Sequence, residues 1–232
     1  MVLNPNLDIP ALKAEFATSK RLRVRDFLQP DVTRSLAAEF ASLPWKLFAS
    51  DGSGVRVIDP AAIANDIEKQ RALQTALMTA ASQGQGFAYL GVQLKSANPQ
   101  LNADGPVARL RNALASPDVL DVMRAITGSS DFDDVTAQAS QFRQGHYLTR
   151  HLDDVTGEQR KYAFVVGLTQ AWHPDWGGLL QFFTKQGEPT ASFSPGFNTL
   201  DLFEVTHVHS VTFVTPFARA PRFAVSGWFV KT

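Results

Sequence analysis

The chain has 232 residues, 44% of them hydrophobic and 19% charged, enough to bury a core of ordinary size and too apolar for a disordered segment. Its 22 Lys and Arg balance 22 Asp and Glu with no run of like charge, so the positive field that phosphate-backbone binding needs is missing and nucleic acid is not an expected partner. With no cysteine there are no disulfides, thiolate metal sites or thiol nucleophiles, and any transition metal must be held by His and carboxylate ligands.

The N-terminal stretch, with Pro5, Pro10 and scattered charges, lacks the apolar run of a secretory signal, and no later segment is long and apolar enough to cross a bilayer. No membrane association and a cytoplasmic location are expected. A short helix is predicted near Ile9–Phe16, then a strand in the alternating Leu22–Leu28 segment. Pro30-Asp31 opens a helix with Val32, Leu36, Ala37 and Phe40 at helical spacing, stopped by Pro44. A strand at Trp45–Phe48 runs into the Asp51-Gly52-Ser53-Gly54 turn, and one helix is predicted over Ala61–Ala81, ending at Gly84-Gln85-Gly86. Phe87–Leu94 reads as a strand. Val107–Ile126 reads as helix restarted at Ser116-Pro117-Asp118. All of this looks like framework without chemistry.

After Gly128 the pattern changes to short Val-, Phe-, Thr- and Tyr-rich segments between Gly, Pro and Asp turns: Val135–Phe142, Tyr147–Asp153, Tyr162–Leu168, Leu179–Phe183, Ala191–Phe193, Thr199–Val205, Val208–Val214 and Phe223–Val230. Such a series predicts a closed barrel or jelly roll.

Of the five histidines, His146 and His151 are close in sequence, as are His207 and His209. Strand alternation puts Tyr147, Thr149, His151 and Asp153 on one face, so His151 and Asp153 can point at one ion. Two imidazoles and one carboxylate with open positions suit non-heme iron(II). The third ligand is His209 or its same-face neighbour His207, between which periodicity does not choose. In Arg222–Val230, alternation groups Arg222, Ser226 and Trp228. An arginine inside a barrel needs an anion, and its fork of donors fits a carboxylate, with the Ser226 hydroxyl as a further donor. Trp228 is expected to pack in the core, Asp154 to point away from Asp153, and Trp172–Gly178 to form a turn.

The blocks GHYLTRHLDD, RKYAFVVGLT, WGGLLQFF, FNTLDLFEV, HSVTFV and RFAVSGWF, in this order over about residues 128–231, resemble the prolyl hydroxylase-like branch of the 2-oxoglutarate/iron(II) oxygenases. They look most like the catalytic domain of the prolyl hydroxylases that modify a ribosomal protein. The resemblance implies a mixed α+β fold, a double-stranded β-helix (jelly roll) over 128–232 with mainly helical support from 1–127, in a single domain. It implies iron(II) on His151, Asp153 and His209, and Arg222 on the distal carboxylate of 2-oxoglutarate, with Arg219 as fallback. Two departures stand out. The His209-to-Arg222 interval is long, implying an extended hairpin through Pro216-Phe217-Ala218. Gly167 occupies the place where many relatives have a co-substrate-binding tyrosine, and Tyr147 is expected to replace it. The implied activity is O2-dependent hydroxylation of a substrate carbon with decarboxylation of 2-oxoglutarate to succinate, aided by ascorbate. The expected substrate is a prolyl residue in a protein or peptide; a free amino acid or small metabolite, or a catalytically silent metal-binding barrel, are the alternatives.

Overall fold

A computed structural model of the chain describes residues 2–94, 101–155 and 157–232. The first of its elements are α1 (Ile9–Ser19), β1 (Arg21–Arg25), α2 (Pro30–Phe40), β2 (Lys46–Ser50) and β3 (Arg56–Ile58). They are followed by α3 (Pro60–Ile63), α4 (Ile67–Ser82), β4 (Phe87–Gln93), α5 (Pro106–Leu114) and α6 (Pro117–Thr127). Their ends follow from local chemistry. Asp8 caps α1 by accepting from the Ala11 N–H, prolines open α2, α3, α5 and α6, and Gly128 closes α6 in the left-handed region at φ 72°. The single helix expected over Ala61–Ala81 is two. Asp66 accepts from the Lys69 N–H and starts α4 afresh, breaking the chain between α3 and α4.

The second half consists of β5 (Asp134–Phe142), β6 (Tyr147–His151), β7 (Arg160–Leu168), β8 (Leu180–Phe183), β9 (Pro189–Phe193), β10 (Phe197–Glu204), β11 (Val208–Val211) and β12 (Arg222–Val230). These are the eight strands expected after Gly128, with ends shifted by a few residues. All pair antiparallel in the order β1-β10-β7-β12-β5-β4-β6-β11-β8-β9, with β2 beside β4 and β3 at the edge. The sheet curls at β4, which pairs with β5 through Leu90–Gln93 and with β6 through Phe87 and Ala88. Two leaves thereby face each other, and Ala163, Phe203 and Trp228 of one meet Leu180 and Phe182 of the other. This is a double-stranded β-helix, or jelly roll.

Alternation along the larger leaf separates two environments. Phe164, Val166, Leu200, Leu202, Val225 and Phe229 point outward into the main core, packed by Phe16, Leu36, Leu110 and Met123 of the helices. The intervening residues point into the barrel. The helical half thus covers the sheet from outside, as the sequence suggested.

Candidate metal and co-substrate site

The ends of β6 and β11 bring together His151, Asp153 and His209, whose ligand atoms all lie within 4.8 Å of one another. His209 sits opposite His151 in the β11–β6 pairing, with ring centroids 4.2 Å apart. Asp153 follows just beyond β6, where its N–H donates to Val205 O at 3.3 Å. His151 Nε2 lies 3.4 Å from Asp153 Oδ1, and His209 Nε2 lies 3.4 Å from Asp153 Oδ2. Each Nδ1 is 2.9 Å from a backbone carbonyl, Thr149 for His151 and His207 for His209. A carbonyl only accepts, so both rings carry the proton on Nδ1 and present the Nε2 lone pair to a common point.

Electrostatics support a cation here. Burial alone would raise the Asp153 carboxyl, but the adjacent His151 and His209 rings reverse that and hold it below its ordinary value. Burial and the neighbouring His151 push His209 down to about 4, leaving a neutral imidazole ready to ligate. His207 is excluded from the cluster. It lies in the turn before β11, outside the strand alternation, with its ring edge-on to Phe182 at 5.9 Å.

A cavity of about 430 Å³ extends from the trio into the barrel and is lined by Arg222 and Ser226 of β12, as expected. Arg222 is 5% exposed, with its guanidinium 5.0 Å from the centroid of the Phe142 ring. Burial pushes it down to about 10, yet it stays charged at neutral pH. It makes no ion pair among the described residues: Asp201, whose charge it feels, is held by Arg23. Arg219, the fallback, is exposed and outside the cavity. Gly178, at φ 63°, lies alongside the Arg222 stem, where a β-carbon would sit 3.6 Å from Cδ.

Tyr147 is not in the site. Between His209 and Val211 of β11 there is one residue, whereas between their partners His151 and Leu148 on β6 there are two. This bulge resets the alternation: Leu148 joins His151 in the cavity wall, and Tyr147 turns outward, its hydroxyl donating to Leu77 O of α4 at 2.8 Å. No tyrosine fits at position 167 either, because a β-carbon there would lie 2.5 Å from both Gly196 O and Thr199 Oγ1.

The cavity phenol is Tyr89 of β4, stacked between Phe48 and Phe142 at 5.9 and 5.1 Å, with its oxygen accepting from Gln138 Nε2 at 3.2 Å. Sequence reasoning filed it with the framework; the aromatic alternation of Phe87 and Tyr89 was the available signal. Trp228 packs against the Ala163, Leu180, Phe182 and Phe203 cluster, as expected, and also lines the cavity, with Arg160 over its ring at 3.6 Å. Asp154 is exposed, as expected.

Residues 137–230 match a family model described as the 2OG-Fe(II) oxygenase superfamily. Over that segment the chain is similar to 2OG-Fe(II) oxygenase domains. No curated protein matches the chain by sequence. Among solved structures, a Pseudomonas putida prolyl-4-hydroxylase is 18% identical, with TM-score 0.62 over 97% of this chain and 99% of that one. A Trichoplax adhaerens prolyl hydroxylase, solved with a hypoxia inducible factor degradation-domain peptide, is 15% identical, with TM-score 0.63 over 96% and 89%. A non-heme alpha-ketoglutarate-dependent epimerase of nogalamycin biosynthesis is 12% identical, with TM-score 0.61 over 96% and 82%. These neighbours share the jelly-roll fold. The superfamily implies Fe(II), 2-oxoglutarate and O2, and the donor set fits: two imidazoles, one carboxylate and no thiolate suit Fe(II).

Proposed function

We propose that the protein is a 2-oxoglutarate-dependent dioxygenase that hydroxylates a prolyl residue of a protein or peptide. The observation that carries the oxygenase reading is the pairing, in one cavity, of the His151, Asp153 and His209 cluster with a buried arginine that has no ion-pair partner among the described residues. His151, Asp153 and His209 would hold the iron. Arg222 would take the distal carboxylate of 2-oxoglutarate through its fork of donors, with Ser226 on the same face offering a hydroxyl. When bound, iron and 2-oxoglutarate supply the oxidation, with succinate and carbon dioxide as co-products.

The chain's own contribution is placement and exclusion of water. The Nδ1 bonds fix both imidazoles, so a metal meets two oriented lone pairs without reorganisation. Phe203, edge-on to His209 at 4.7 Å, and Phe182 keep the inner side of the cluster dry, while Leu180 and Val211 line the cavity between metal and arginine. At the mouth, Leu152 and Val155 are 48% and 41% exposed and offer apolar contact to a substrate wider than the cavity. This, with the peptide bound to the Trichoplax neighbour, supports a polypeptide over a free metabolite.

The test is succinate formation by anaerobically prepared protein given Fe(II), ascorbate, 2-oxoglutarate and then oxygen, with and without a pool of proline-containing peptides. Succinate that depends on iron and is stimulated by peptide, with a product heavier by one oxygen, is the expected result. Stimulation by free amino acids alone would replace the peptide reading. Absence of succinate together with absence of 2-oxoglutarate binding would leave a silent metal-binding barrel.

A further inference from the structure

The unpaired charge of Arg222 depends on a residue at the far edge of the larger leaf. Alternation in β1 sends Leu22 and Val24 into the helix-covered core and Arg23 to the barrel side. The pairing registers put Arg23, Asp201, Val165 and Ser226 in one row across β1, β10, β7 and β12, and the last two of these line the cavity. In that row Arg23 holds Asp201 with two parallel bonds, Nε to Oδ1 at 2.6 Å and Nη2 to Oδ2 at 2.7 Å. Its remaining Nη1 donates to Ser194 O at 2.6 Å, and the guanidinium lies 4.8 Å from the centroid of Phe193.

Asp201 is 3% exposed, and with Asp153 it is one of two fully buried carboxylates among the described residues. Its charge and that of Arg23 both reach Arg222, with opposite sign. Burial already holds the Asp201 carboxyl above its ordinary value despite the Arg23 bonds, so without Arg23 the cation left to keep it ionised is Arg222, which it would engage at the expense of any anion approaching that guanidinium.

We propose that Arg23 is a positioning residue for the co-substrate: by clamping Asp201 it keeps Arg222 free for the distal carboxylate of 2-oxoglutarate. The proposal rests on reading Arg222 as the 2-oxoglutarate residue. It also gives the edge strand of the helical half a part in binding, although Arg23 touches neither metal nor co-substrate.

The experiment is binding without turnover. Fe(II)-loaded protein under nitrogen is titrated with 2-oxoglutarate and with 2-oxobutyrate, which keeps the keto-acid end but lacks the distal carboxylate; the charge-transfer absorbance of the iron complex is the readout. Arg23→Gln should weaken 2-oxoglutarate by about tenfold or more and leave 2-oxobutyrate unchanged. The double variant Arg23→Gln/Asp201→Asn, in which no buried charge remains to be clamped, should recover to within about twofold of the wild type. Wild-type affinity in Arg23→Gln, or a double variant no better than the single, overturns the proposal. If Arg23→Gln does not fold, the comparison of Asp201→Asn with the double variant decides: equal affinities support the clamp, and a tenfold loss in the double variant overturns it. A wild-type protein that binds neither keto acid removes the oxygenase reading itself, a result distinct from wild-type binding with an indifferent Arg23.

Discussion

The two faces of the larger leaf are built from the same strands and differ in almost everything else. On β7, Val166 and Leu168 enter the helix-covered core while Ala163 and Val165 border the cavity; on β12, Val225 and Phe229 go outward while Arg222, Ser226 and Trp228 go inward. The outer face is mainly apolar, with Gln141 a buried exception, and is packed by helices. The inner face carries the Arg23–Asp201 ion pair, which the carbonyl of Ser194 completes, and the guanidinium of Arg222, which lines the cavity with no ion pair among the described residues. A step of one residue along a strand therefore moves from scaffold to chemistry, and the consequences of substitution should divide the same way.

The sharpest contrast is between His151→Ala and Phe229→Ala. The first should abolish iron-dependent succinate formation while leaving the thermal transition of the metal-free protein nearly in place. The second removes a ring that is 1% exposed and packed at a tilt against Phe164 at 5.2 Å, and should cost about 3–5 kcal/mol of stability, read from denaturant melts, with 2-oxoglutarate affinity retained in the folded fraction. If Phe229→Ala erased co-substrate binding without loss of stability, the two faces would not be separable.

A smaller effect is expected at Arg222. Arg222→Ala should leave Fe(II) affinity unchanged and raise the 2-oxoglutarate requirement by roughly 10- to 100-fold, the usual scale for a charge-assisted pair. An equal loss of iron affinity would mean that the arginine shapes the metal cluster instead of the co-substrate end.

The divide between faces was largely legible in the sequence, because each strand of the barrel has one wet and one dry side and so alternates cleanly. His151, Asp153, Arg222 and Ser226 were found that way. The choice of His209 over His207 was not, since β11 begins only at Val208 and alternation says nothing about the turn before it. Tyr89 was hidden for another reason. The curl that brings β4 against both β5 and β6 is a long-range event, and nothing in Phe87–Gln93 announces that this strand lines a site whose other residues, from His151 to Arg222, come much later in the chain. The edge strand Arg56–Ile58 was missed because three half-wet residues carry no period.

The pH response separates the barrel from its surroundings more gently. Burial pushes His146, in the turn between β5 and β6, down to about 4, and its Nδ1 accepts from the Arg143 N–H at 3.1 Å, which requires the neutral ring. A histidine with a lowered folded value contributes stability that is complete above its unfolded value near 6.5 and is lost as the pH falls toward 4. Metal-free protein should therefore lose stability across that window, and His146→Gln should flatten this part of the profile. An unchanged slope in His146→Gln would assign the acid loss to other groups.

The smallest predicted effect tests the bulge in β6, on which the orientation of the whole ligand strand depends. Ideal alternation would put the Tyr147 hydroxyl in the cavity and remove Leu148 from it; the extra residue between Leu148 and His151 does the reverse. Tyr147→Phe keeps the ring against Leu77 and Ala88 and deletes only the bond to the Leu77 carbonyl, so it should cost about 1 kcal/mol, a fall of roughly 2–4 °C in Tm. Its 2-oxoglutarate affinity should equal the wild type's, because the hydroxyl faces helix α4 and lies outside the cavity that His151 lines. A tenfold loss of affinity at unchanged Tm would put the phenol back on the ligand face and refute the bulge, whereas Tyr89→Phe, altering the phenol that does line the cavity, is the variant in which a change of binding belongs.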